Sequence, residues 1–162
     1  MANSNTPNGL IPHERCIRAR TYVAAGTIYP GDAVKFDSGG GIIVCAAGDA
    51  TVGAALTYAV SGNNVSVADS PQQLFRVKAS STQIDAQTDI NLNYDIVATT
   101  GSTLYKTSRN SLDSSTQATT ATLVYKLVAV DARPDNVIGT YVDCIVSVNN
   151  HQLKGGTGTL GV

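Results

Sequence analysis

Turn signals at short, regular intervals constrain this chain more than any other feature. From Arg20 onward, short apolar runs are broken by clusters of Gly, Pro, Asn and Asp, a spacing of roughly 8–12 residues that marks sandwiches and barrels. The clusters are Tyr29-Pro30-Gly31-Asp32, Ser38-Gly39-Gly40-Gly41, Ser61-Gly62-Asn63-Asn64 and Ala132-Arg133-Pro134-Asp135-Asn136. A long helix cannot cross such punctuation, because Pro removes a backbone donor and Gly is costly in a helix interior. Composition agrees: there are 18 Thr and 17 Val, one Met and no Trp, and eleven of the twelve acids are Asp. Strand and turn residues are abundant and strong helix formers scarce. The expectation is an all-β chain, a single β-sandwich or β-barrel domain, with at most a helical turn at Ser70–Leu74.

Side-chain alternation places the strands. Gln73–Ala79 sets Phe75 and Val77 on one face against Arg76 and Lys78 on the other. Val65 and Val67 share a face after the Ser61–Asn64 hairpin, and Arg20–Ala25, Ala33–Asp37, Ile42–Ala46, Thr51–Val60 and Ile90–Thr99 complete the earlier set. Thr122–Asp131 is apolar on both faces apart from Lys126 and reads as a central strand. Tyr141–Asn149 turns Val142, Cys144, Val146 and Val148 inward. Residues 99–121 are almost all Ser, Thr, Gly, Asn and Gln around Leu104-Tyr105, and are expected to form a long polar loop or flap. The domain is thus expected over 19–152, with a flexible Gly-rich tail at 153–162.

The leading residues 1–18 differ from the rest. Their first twelve carry no charged side chain, and Asn, Pro and Gly recur until an apolar Leu10-Ile11-Pro12 hook. Such a segment forms no helix alone, so it is expected to be an extended N-terminal arm. The candidate partner-binding residues are Asn5, Pro7, Gly9, Leu10, Ile11 and Pro12, with the apolar hook needing a surface to cover it. Arg133, in a turn, is a candidate for pairing across a subunit interface.

Charge excludes several function classes. The net charge is −1 with no basic run, which argues against nucleic-acid binding through phosphate neutralisation. No apolar stretch approaches the roughly 18 residues of a membrane helix, and the first residues lack a secretory pattern. Charged residues are only 14%, against an average of about 25%, so much of the surface is expected to be covered by partners. Cys16, Cys45 and Cys144 are odd in number and widely spaced, which fits neither a disulfide framework nor a zinc pair.

No constellation carries catalysis. Gly156, Gly158 and Gly161 reproduce the dinucleotide spacing, but that motif works only where a helix follows. His13, Glu14 and Cys16 lack a second ligand cluster, and His151 has Asn and Gln neighbours in place of a carboxylate. Asn64-Val65-Ser66 reads as a hairpin tip, and the acids sit at turns and strand ends. Neither enzyme activity, a metal, a cofactor nor a small-molecule substrate is expected.

Met1-Ala2-Asn3-Ser4-Asn5-Thr6-Pro7-Asn8-Gly9 resembles the opening of many tailed-bacteriophage virion proteins. Further patches in the same order resemble that group: Tyr29-Pro30-Gly31-Asp32-Ala33-Val34-Lys35, Ala46-Ala47-Gly48-Asp49, Ser70-Pro71-Gln72-Gln73-Leu74-Phe75-Arg76-Val77, and Arg133–Gly139 with Val148–Leu153. The resemblance implies a capsid cement, or head decoration, protein. It would bind the major capsid protein on the capsid exterior as a homotrimer, after synthesis in the bacterial host cytoplasm. A tail-tube, baseplate or head-fibre component is the alternative within the same resemblance.

Overall fold

The computed structural model describes residues 3–85, 87–155 and 158–161. Its strands are β1 (Ile11–Pro12), β2 (Ala19–Val23), β3 (Ala33–Phe36), β4 (Ile42–Val44), β5 (Gly53–Ala55), β6 (Asn64–Ala68), β7 (Leu74–Lys78), β8 (Asn93–Val97), β9 (Ser111–Ala118), β10 (Tyr125–Val130) and β11 (Asp143–Val148). No helix occurs among the described residues, so the all-β expectation holds. The strands form two antiparallel sheets, one ordered β1-β7-β11-β10-β8-β9 and the other β2-β6-β5-β3-β4. Neither closes into a barrel. The larger sheet curls until Ala79 and Leu112 form a single parallel bridge, with the Ser80 N–H donating to the Leu112 carbonyl at 2.9 Å.

The core between the sheets is asymmetric. Phe75, Tyr94, Tyr125, Leu127, Cys144 and Val146 enter it from the six-stranded sheet, whereas Ala33, Ala54 and Ala68 enter from the other. Small residues on one sheet leave room for large ones on the other, which is how facing layers interlock at close-packed density. The five-stranded sheet buries its opposite face too. Val34, Ala55, Val65 and Val67 pack there under Ala24, Ile28, Ile42, Val52 and Ala59. This second core explains why alternation along β6 shows clearly only at its exposed end.

Three expectations about boundaries change. Residues 99–121 are not one long loop, because Ser111–Ala118 is the eight-residue edge strand β9. Its pattern of hydroxyl side chains hid it: Ser111 and Ser114 are buried, and Ser114 Oγ donates to the Thr82 carbonyl at 2.9 Å. The tail is docked where it is described. Thr159 N–H donates to Asn149 Oδ1 at 2.8 Å, and Lys126 Nζ reaches the Leu160 carbonyl at 2.8 Å. Gly156 of the glycine motif lies outside the described residues. Finally, the Thr51–Val60 run yields only the three residues of β5.

The strongest strand expectations are met. β10 lies between β11 and β8, although a register shift between Leu127 and Ala129 turns Val128 outward to 37% exposure. Val142, Cys144, Val146 and Val148 are all buried, as are Phe75 and Val77 on β7.

Candidate functional site: the N-terminal seam

Residues 3–12 run extended, as expected, but they are closed onto their own chain. Gly9 N–H donates to the Asn110 carbonyl at 3.1 Å and Leu10 N–H to Gly31 at 2.8 Å. Ile11 and Pro12 then pair antiparallel with Arg76 and Phe75 on β7. Leu10 is 1% exposed and belongs to the core between the sheets. The reading of Leu10 as an anchor for a partner is therefore overturned. Its side chain gains more by filling its own core than by waiting for another surface, since burial is worth roughly 1.5–3 kcal/mol either way and needs no second molecule here.

Gly9 is required at this closure. Its φ is +75°, and a Cβ there would lie 2.2 Å from the Gly31 carbonyl oxygen. Pro7 and Pro12 are half-buried, and of the six proposed arm residues only Asn5 and Ile11 stay exposed. Beyond the strand, the Asp69 carboxylate is fully buried and fixes the start of β2. Arg18 Nε lies 2.7 Å from Asp69 Oδ1, and Tyr22 Oη donates to Oδ2 at 2.6 Å.

The far end of the segment grips the turn after β10. Asn3 Nδ2 donates to the Val137 carbonyl at 2.6 Å and to Thr140 at 2.9 Å, while Oδ1 accepts from Val137 N–H. That turn is pinned from its other side by charge. Arg133 pairs with Asp143 and, at 2.8 Å, with Asp131; Lys78 Nζ lies 3.1 Å from Asp143. Asn136 completes the latch by donating to the Asp131 carbonyl and accepting from Asp143 N–H. Arg133 is thus engaged by acids of its own chain. It nevertheless shares a polar groove of about 240 Å³ with Asn3, Thr6, Gly9 and Ile11, so the two sequence-derived candidate regions do meet.

The outcome is a rigid face with Val137 and Ile138 at its apex, 47% and 53% exposed. Sequence reasoning placed neither of these in a site. Their signal, two adjacent aliphatics directly after an Arg-Pro-Asp-Asn turn, was present in the sequence.

Burial depresses the His151 pKa and keeps the imidazole neutral, with Nδ1 accepting from Leu153 N–H at 3.0 Å. Burial pushes the Cys45 and Cys144 thiols up to about 12, so neither offers a thiolate. Among the described residues no group of three or more His, Cys, Asp or Glu side chains could hold a metal ion. Nor is any helix there long and apolar enough to cross a membrane. No protein-family model matches the chain, and comparison with characterised proteins found no relative.

Proposed function

We propose that the protein is a non-enzymatic capsid decoration, or cement, protein. It binds the major capsid protein on the outside of a tailed-phage head, at subunit junctions, and stabilises the shell. The observation that carries this reading is the pair Val137–Ile138, half exposed on a turn fixed by Asn3, Asn136 and Arg133. A pre-ordered apolar apex loses little conformational entropy on binding, which is the property that favours a rigid protein contact. Each aliphatic contributes about 1.5–3 kcal/mol if fully buried, and trimeric presentation multiplies weak contacts through avidity.

The low content of charged residues in the chain and the ordered resemblance to phage virion proteins support the same reading. The seam replaces the free arm as the proposed gripping element. In this reading the leading segment shapes the binding face instead of wrapping a neighbour.

The test is immunogold labelling of particles from a culture producing the protein, with wild type and a Val137→Asp, Ile138→Asp variant compared. Gold on heads, lost in the variant while the variant stays folded, is the expected result. Gold on tails would favour a tail-tube or baseplate component, and unlabelled particles would refute the proposal.

A further inference from the structure

We infer that the hairpin at residues 102–107 is a knob that seats in an apolar groove on a second copy of this chain, joining copies head to tail in a closed ring. The inference deepens the self-assembly part of the reading above and is independent of the capsid as target.

The knob is built to project. Ser102 N–H donates to the Thr107 carbonyl at 2.8 Å, Lys106 N–H returns to Ser102 at 2.9 Å, and Tyr105 N–H bonds Ser102 Oγ at 3.2 Å. Lys106 takes a left-handed backbone, φ +53°, and sets its ammonium 4.7 Å from the centre of the Tyr58 ring. This frame holds Leu104 and Tyr105 at 78% and 75% exposure, the two most exposed of the large apolar side chains described. Two adjacent apolar residues on a pre-ordered tip have the character of interface anchors, which need a concave apolar partner.

This chain carries such a concavity. A groove of about 450 Å³ runs between β1 and the Pro30-Gly31 turn, lined chiefly by Leu10, Ile11, Pro12, Pro30 and Leu56, with no charged side chain on its walls. Thr107, the last residue of the hairpin, forms part of its rim. Knob and groove are therefore neighbours on one side of the molecule.

Charge favours a second copy as the occupant. Lys106 and Arg109 flank the knob, and neither has an ion pair among the described residues. Glu14, two residues past Pro12 at the β1 end of the groove, meets only His13, at 3.9 Å, and its side chain is 81% exposed. Seating the knob brings Lys106 and Arg109 toward Glu14, whose carboxylate has only the 3.9 Å contact with His13 among the described residues. Head-to-tail seating makes the contact heterologous, and such contacts either close into rings or run on as filaments, whereas reciprocal seating about a two-fold axis closes at two copies.

The test measures mass in solution by light scattering across a dilution series, with no capsid present. Wild type is expected to form a discrete oligomer. Leu104→Asp with Tyr105→Ser, both at exposed positions, is expected to be a folded monomer, with the dissociation constant raised at least roughly 100-fold. Leu56→Arg removes the groove; Ile11→Glu replaces it if that variant unfolds. Mixing the knob and groove variants should yield heterodimers, because one intact knob then faces one intact groove. A wild type that stays monomeric, or a knob variant with the wild-type mass, overturns the inference. Head labelling is read separately, so either idea can fail without the other.

Discussion

Asn3 and Val137 exchange two hydrogen bonds across 134 residues of sequence. The Asn3 amide donates to the Val137 carbonyl at 2.6 Å and accepts from its N–H at 3.0 Å. A third bond to Thr140 makes this one side chain a clasp between the leading segment and the apex of the proposed binding face. Asn3→Ala should leave the fold intact and cost about 1–2 kcal/mol, given roughly 0.5–1.5 kcal/mol net for each neutral hydrogen bond and the partial exposure of these. Faster amide exchange at Val137, with unchanged exchange in β11, would be the signature.

Leu10 and Ile11 should differ sharply despite being neighbours. Leu10→Ala opens a cavity between the sheets and should destabilise by about 2–5 kcal/mol, whereas Ile11→Ala, at a site 37% exposed, should cost about 1 kcal/mol or less. Urea unfolding midpoints of the two variants decide this.

Gly9→Ala should act as strongly as Leu10→Ala, for a different reason. The new methyl would meet the Gly31 carbonyl at 2.2 Å and would require a left-handed backbone for alanine. We expect detachment of residues 3–12, read as added sensitivity to limited proteolysis ahead of His13.

Stability should fall as the medium is acidified below neutrality. His151 has a depressed pKa in the folded chain, so its neutral form stabilises the fold fully above the unfolded value of about 6.5. Below that value the unfolded chain takes up the proton first, and the contribution is lost progressively as pH falls through the folded pKa. Thermal melts between pH 5 and 8 should show this slope, and His151→Asn should flatten it.

Thiol labelling should divide the cysteines. Cys16 is exposed and should react with a thiol reagent in the native protein, while Cys45 and Cys144 are buried with pKa values near 12. One thiol should titrate before denaturant is added and two only afterwards.

Much of the fold was legible because it is written in local patterns. The alternation of Phe75, Arg76, Val77 and Lys78, and the inward set Val142, Cys144, Val146 and Val148, fixed two neighbouring strands without reference to anything distant. What escaped depends on long-range partners. β9 is built mostly of Ser, Thr and Asp, and it is a strand because β8 offers an edge for it to pair with. Leu10 looked like a hook for another molecule because sequence shows an apolar residue in a polar segment but not the vacancy it fills. The candidate site was half legible for the same reason. The leading segment and the Arg133 turn each stood out, but only the fold brings Asn3 against Val137.

The most direct test is hydrogen exchange of the isolated protein, resolved over residues 3–13. If the leading segment is part of the body, the amides of Gly9, Leu10 and His13, bonded at 3.1, 2.8 and 2.8 Å, will be protected to a degree comparable with β7. Exchange of those amides at the rate of an unstructured peptide, with β7 still protected, would contradict the seam and the binding face built on it.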